Sequence, residues 1–143
     1  MIDRLVSSPT IQMLEQTLSF TEQRHELILS NIANISTPGY VQQDVSVADF
    51  QATMQDAAER RRASFNHEAP PEDTDTMAFE PGGSSVKVMP KSVVRGTAFH
   101  DRGIRSMEDL MGQMADNAMA HNMAAELLKN RYDIVTKAIN MKP

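Results

Sequence analysis

Two segments, one near each end of the 143-residue chain, repeat apolar residues at alternating intervals of three and four. In the first, Ile11, Leu14, Leu18, Thr21, His25, Ile28, Ile32 and Ile35 keep this rhythm, with Thr21 and His25 as polar interruptions. In the second, Met107, Met111, Met114, Ala118, His121, Ala125, Leu128, Tyr132, Val135 and Ile139 do the same. Such alternation averages about 3.5 residues, so each set forms one seam along an α-helix. The spacing predicts a helix from about Pro9 to Ile35 and a longer one from about Met107 to Met141. Pro9 suits a first turn, where its missing N–H is not needed. Ser106 with Asp109 resembles a capping box for the second helix, which would be about 50 Å long at roughly 1.5 Å per residue. The expected fold class is mainly α. Two long heptad helices pair as a coiled-coil-like hairpin, or with helices of other chains, around a loop-rich, weakly β or disordered middle.

The middle departs from this pattern. From Asn66 to about Gly103 the chain collects Pro70, Pro71, Pro81, Gly82, Gly83 and Pro90, with acids at Glu68, Glu72, Asp73 and Asp75. Turn formers and charges without an apolar period read as loop or disorder. Before them, SVADFQATMQDAAERRRASF predicts a short helix capped by Ser46 or Asp49, with Phe50, Met54 and Ala57 on one face. SSVKVMP alternates briefly and predicts one weak strand near Val86 and Val88. The chain thus divides into 1–65 (long helix, turn, short helix), 66–103 (Pro/Gly-rich insert) and 104–143 (last helix), all serving one assembly domain.

Each terminal helix carries a second apolar stripe. Met13, Phe20 and Leu27 recur every seven residues, as do Ala120, Leu127, Ile134 and Met141. At about 100° per residue these stripes lie well away from the seams. One short helix and a Pro/Gly-rich insert are too little to cover both outer faces, and an uncovered apolar stripe marks an interface. The seams are therefore expected to pair within the molecule, while Met13, Phe20, Leu27, Leu127, Ile134 and Met141 meet neighbouring subunits.

Composition narrows the function further. Aromatic residues are 5%, there is no Trp, and the 11 Met suit adaptable helix packing. The net charge of -5 disfavours nucleic acid, whose phosphates need cationic partners. With no cysteine, disulfides and thiolate chemistry are excluded. No stretch approaches the roughly 20 apolar residues of a membrane span. MIDRLVSSPT lacks the apolar run of a secretory signal. A cytosolic protein or one exported without cleavage is expected.

There is no P-loop, Rossmann glycine pattern, His-Glu-x-x-His or nucleophile elbow. His100-Asp101 lacks a nucleophile and an orienting group, so no catalytic residue is assigned. Arg60-Arg61-Arg62 reads as a solvated helix end favoured by the helix dipole. His25 and His121 fall near the middle of their seams and would face each other in an antiparallel hairpin. Two histidines without a third ligand make a poor metal site. They read as seam residues that set register, and no metal or cofactor is expected.

The first helix is brought to a stop by SNIANISTPGY, Ser30 to Tyr40. Asn31 and Asn34 share a helix face, and Asn34 suits a helix end because Asn tolerates left-handed geometry. Thr37 precedes proline and is pushed out of the helical region. Thr37-Pro38-Gly39-Tyr40 fits a type II turn, with Gly where φ is positive. The stretch resembles the NIANxxTPGY signature near the N-terminus of bacterial flagellar axial proteins, the rod, hook and hook-associated proteins. Asn31, Ile32, Ala33, Asn34, Thr37, Pro38, Gly39 and Tyr40 all match. The size is similar to that of the short rod proteins, and RGIRSMEDLMGQMADNAMAHNMAAELL resembles the proximal-rod protein of FlgB type. Gly103, Glu108, Asp109, Asp116 and Asn117 follow that outline. His121 stands where the family commonly has tyrosine, and Met119 replaces its leucine. The segment from Asn66 to Val94 matches no part of the pattern.

The resemblance implies a structural subunit of the flagellar basal-body rod, needed for motility, which transmits motor torque across the periplasm. It implies export by the flagellar type III apparatus without signal cleavage, and helical packing with further copies. The implied neighbours are other rod proteins, the rod–membrane-ring adaptor and the ring protein. No small-molecule substrate, nucleic acid or enzymatic activity is implied. The rival expectation is a cytosolic coiled-coil adaptor that binds a partner helix in its seam.

Overall fold

Ser8 and Pro9 set the start of the first helix. Ser8 is extended (φ -65°, ψ 140°), its hydroxyl accepts the Ile11 N–H at 3.4 Å, and helix α1 runs Pro9–Ala33. The computed structural model describes residues 8–63, 70–80, 83–93 and 102–140, with side chains in the last helix from Met107 onward. After α1 come β1 (Gln43–Asp44), α2 (Val47–Ala63), β2 (Met77–Phe79), β3 (Val86–Val88), β4 (Lys91–Ser92) and α3 (Arg102–Asn140). The fold is mainly helical, with a short-stranded middle between two long helices, in agreement with the class expected. Met141, His100 and Asp101 lie outside the described residues.

Helix α3 has 39 residues, about 58 Å at roughly 1.5 Å per residue. It already runs through Ser106, so the capping box expected there is not its start. It lies antiparallel to α1. Glu15 meets Tyr132, whereas Thr21, further along α1, meets His121 and Asn117, earlier on α3. On α1 the seam holds: Ile11, Thr21 and Ile28 are buried, and Leu14, Leu18, His25 and Ile32 are half-buried. Ile35 drops out, because the helix ends at Ala33 and Ile35 follows in a tightened turn, its N–H bonded to the Ile32 carbonyl.

On α3 the seam is turned by one residue from the expected register. Its buried positions are Leu110, Asn117 and Ala124, spaced by seven. Met114, His121, Leu128 and Val135 keep half-buried places, and Ala118 and Ala125 flank the contact. Met111 and Ile139 are 57% and 47% exposed and do not belong to it, whereas Tyr132, 38% exposed, reaches α1 through its hydroxyl's bond to Glu15. The reason is polar. Asn117 donates from Nδ2 to the Thr21 carbonyl at 2.8 Å, inside the contact, and this bond fixes which edge of the helix faces α1. An apolar count scores Asn117 as surface and settles on its neighbour.

The opposite side of α1 is covered by the middle of the chain. Ser46 caps α2 through the Asp49 N–H at 3.1 Å, and Phe50, Met54 and Ala57 are buried, as their spacing predicts. β2 and β3 pair antiparallel, with Met77 opposite Val88 and Phe79 opposite Val86. β1 and β4 form a second antiparallel pair. Phe20, Val45, Phe50, Met54, Met77, Phe79 and Val86 make one buried cluster, with Met13, Leu27, Val47 and Val88 packed against it. The Phe20 and Phe50 rings stack 4.0 Å apart at 6°.

This corrects one expectation. Met13, Phe20 and Leu27 are not an assembly stripe: they anchor the middle of the chain. The insert, where described, is loop with three short strands, as its composition predicts, and its alternating residues cover an apolar face of α1. Polar residues of α1 complete the arrangement. The Ser19 hydroxyl accepts the Val86 N–H at 3.3 Å and lies 3.2 Å from the Val86 carbonyl. Gln23 accepts the Val88 N–H at 3.1 Å and donates to the Val86 carbonyl. These two side chains satisfy backbone groups of β3 as a neighbouring strand would.

Phe20→Ala removes half of the stacked pair and opens a cavity in the cluster. It is expected to lower the unfolding free energy by about 3–5 kcal/mol, read from urea titrations. Leu127→Ala, on an exposed face, is expected to change it by no more than about 0.5 kcal/mol.

Candidate functional site

The residues from Asn31 to Tyr40 form an interlocked corner. Asn31 is 3% exposed, although its side chain is polar. Its Nδ2 donates to the Gln43 carbonyl at 2.6 Å, and its Oδ1 accepts the Gln43 N–H at 3.0 Å. The primary amide thus pairs with both backbone groups of one β1 residue. The Tyr40 hydroxyl donates to the same Oδ1 at 3.1 Å. Asn34 ends α1 with φ -104° and ψ 10°, so it is not left-handed as expected. Its Nδ2 donates to the Ser30 carbonyl at 2.9 Å, which also accepts the Asn34 backbone N–H at 3.1 Å, so backbone and side chain close the helix together.

The left-handed residue is Gly39, at φ +78°. The Tyr40 N–H bonds to the Thr37 carbonyl at 3.2 Å, which closes the predicted turn. A Cβ at Gly39 would meet nothing within 4 Å, so glycine is required here by backbone conformation alone. Of the other matched residues, Ile32 is half-buried, whereas Ala33, Thr37 and Pro38 are exposed. The corner turns the chain back onto α1, where Asp44 lies 3.5 Å from Arg24.

The second feature is the outer face of α3. Met119, Met123, Leu127 and Ile134 are 67%, 64%, 48% and 58% exposed. By helical geometry they lie on one side of the helix, from about 60° (Leu127) to about 160° (Met119) around from the Leu110–Asn117–Ala124 seam. Leu127 and Ile134 were legible as a stripe. Met119 and Met123 were not singled out, although their spacing of four from each other and from Leu127 was the available signal. Asn117, which the family outline includes, belongs to the buried seam and not to this face.

His25 and His121 do come together, lining one open groove of about 390 Å³ with Thr21, Glu22, Glu26 and Asn117. The Thr21 hydroxyl lies 2.9 Å from His121 Nδ1 and within 2.9 Å of the Thr17 and Leu18 carbonyls. With its proton on a helix carbonyl, the hydroxyl accepts from Nδ1–H. Among the described residues no group of three or more potential ligands is placed to hold a metal ion, and no helix is long and apolar enough to cross a membrane. Near the far end of α3 the Tyr132 hydroxyl donates to Glu15 at 2.8 Å. That bond to a carboxylate holds the phenol above its ordinary range.

No protein-family model matches the chain, and no curated protein matches it in sequence.

Asn31→Leu would leave the Gln43 N–H and carbonyl without their partner. The expected cost is about 1–3 kcal/mol, and amide hydrogen exchange at Gln43 should quicken while exchange in the middle of α1 does not.

Proposed function

We propose that the chain is a structural subunit of the bacterial flagellar basal-body rod, of the proximal-rod kind. The observation that carries this reading is the eight-residue match from Asn31 to Tyr40, whose members cooperate in one corner. Asn31 and Tyr40 bond to each other, and Asn34, Thr37 and Gly39 supply the helix end and the turn. A rod subunit must hold its terminal helices in fixed relation while force passes through it, and a corner closed by side-chain amides is stiffer than a linker. The exposed row on α3 supports the same reading, because it offers an apolar surface to a neighbouring subunit. On α1 the equivalent surface is already occupied, so α3 supplies the contact.

In this reading the chain leaves the cytoplasm through the flagellar type III apparatus and takes its place in the periplasmic rod. There it packs against further copies, other rod proteins, the rod–membrane-ring adaptor and the ring protein. It acts by shape, with no substrate or cofactor. The adaptor reading, a cytosolic protein that binds a partner helix, uses the α3 row equally well and leaves the Asn31–Tyr40 match unexplained.

A tagged copy is expected in isolated basal bodies. A purely cytosolic pool would favour the adaptor. Leu127→Asp should leave the monomer folded and soluble yet block incorporation and motility. Gly39→Val should lose about 1–3 kcal/mol to backbone strain and damage assembly more than expression. Normal swimming of the Gly39→Val strain would contradict the role given to the turn.

A further inference from the structure

The outer face of α3 is self-complementary. Take the midpoint between Glu126 and Leu127 and reflect the helix about it. Asp116 then falls on Lys137, Met119 on Ile134 and Met123 on Asn130. All six residues are exposed. Their steps of three, four, seven, four and three keep them on one row. The row therefore has an acid at one end, a base at the other, Met119, Met123, Asn130 and Ile134 between, and Glu126 and Leu127 at its centre, so that an antiparallel copy meets it with the opposite charges of its ends aligned. A parallel copy would set Asp116 on Asp116 and Lys137 on Lys137.

We infer that two free copies of this chain pair antiparallel through α3, about a two-fold axis passing beside Glu126 and Leu127. A two-fold contact must be formed by one patch that complements itself, and this row meets that condition at its oppositely charged ends and where Met119 falls on Ile134. From Asp116 to Lys137 it is about 32 Å long at roughly 1.5 Å per residue. One helix face of this length buries less than the about 1,200–2,000 Å² of standard stable interfaces, so the dimer is weak and concentration-dependent. Because a two-fold contact closes on itself, it covers the row without propagating. It thereby withholds from growing polymers the surface that assembly would use. The dimer goes beyond the rod reading and rests only on the arrangement of α3, whereas its withholding of the assembly surface rests on that reading.

Sedimentation of the purified full-length chain over a concentration series tests it. A monomer–dimer equilibrium is expected. Lys137→Asp or Asp116→Lys alone should raise the dissociation constant about tenfold, because a two-fold contact loses the pair twice. The double exchange Asp116→Lys with Lys137→Asp should restore it. All these positions are exposed, and circular dichroism confirms that each variant keeps its helices.

Disulfide trapping gives a second readout, because the chain has no cysteine of its own. Met119→Cys with Ile134→Cys should give a covalent dimer on oxidation. Met119→Cys alone should not, as its two copies would stand about 22 Å apart along the helix axis, beyond the roughly 7 Å that a disulfide bridges. A monomer at every concentration would overturn the inference. So would cross-linking by Met119→Cys alone, which means a parallel contact, or ladders longer than two from the double variant, which mean head-to-tail packing. None of these results bears on whether a tagged copy is found in basal bodies, so the two readings fail separately.

Discussion

The stack of Phe20 on Phe50 is the contact through which the middle of the chain is held to its first helix. Phe20 projects from the side of α1 away from α3, and Phe50 comes from the first turn of α2. Around them Val45, Met54, Met77, Phe79 and Val86 close a small core that no two of the middle elements could form alone. The strands have two or three residues each, too few to stand as a sheet without a surface beneath them. Helix α1 is that surface, and its other side is at the same time the partner of α3. One helix therefore serves two packing interfaces.

Polar side chains make this double service specific. On the insert side, Ser19 and Gln23 bond to the backbone of β3, and Asn31 bonds to that of β1. On the α3 side, Thr21 receives Asn117 at its carbonyl and His121 at its hydroxyl. Each of these bonds satisfies groups that burial would otherwise leave without partners. Each also has a direction, which apolar contact lacks. The apolar residues hold the elements together, and the amides and hydroxyls set their register.

The division explains what could be read from the chain alone. The two long helices, the short helix with Phe50, Met54 and Ala57, the strand at Val86 and Val88, and the turn at Gly39 were all legible, because each is written in local periodicity or turn chemistry. Three things were not. The burial of Met13, Phe20 and Leu27 depends on a partner far along the sequence, and a heptad stripe looks the same whether an insert or another molecule covers it. The register of α3 depends on Asn117, a polar residue that an apolar pattern passes over. The residue type at Asn34 suggests left-handed backbone, whereas its backbone and side-chain N–H groups both bond the Ser30 carbonyl. Of the corner, the residues were legible and their bonds to Gln43 were not, since nothing in Gln43 marks it as the partner of Asn31.

The described methionines range from enclosed to open. Met54 and Met77 are 8% and 1% exposed, shielded within the small core, whereas Met119 and Met123 stand 67% and 64% open on the outer row of α3. Peroxide reaches thioethers according to access, and each sulfoxide turns a soft apolar side chain into a dipolar one. In a chain without cysteine, oxidative damage is thus directed to open thioethers: Met119 and Met123 on the outer row, and Met111 and Met89, 57% and 41% exposed, elsewhere. Sulfoxidation on the outer row would make that surface water-loving while the packing beneath it stays intact, and a methionine sulfoxide reductase could reverse the change without unfolding the protein.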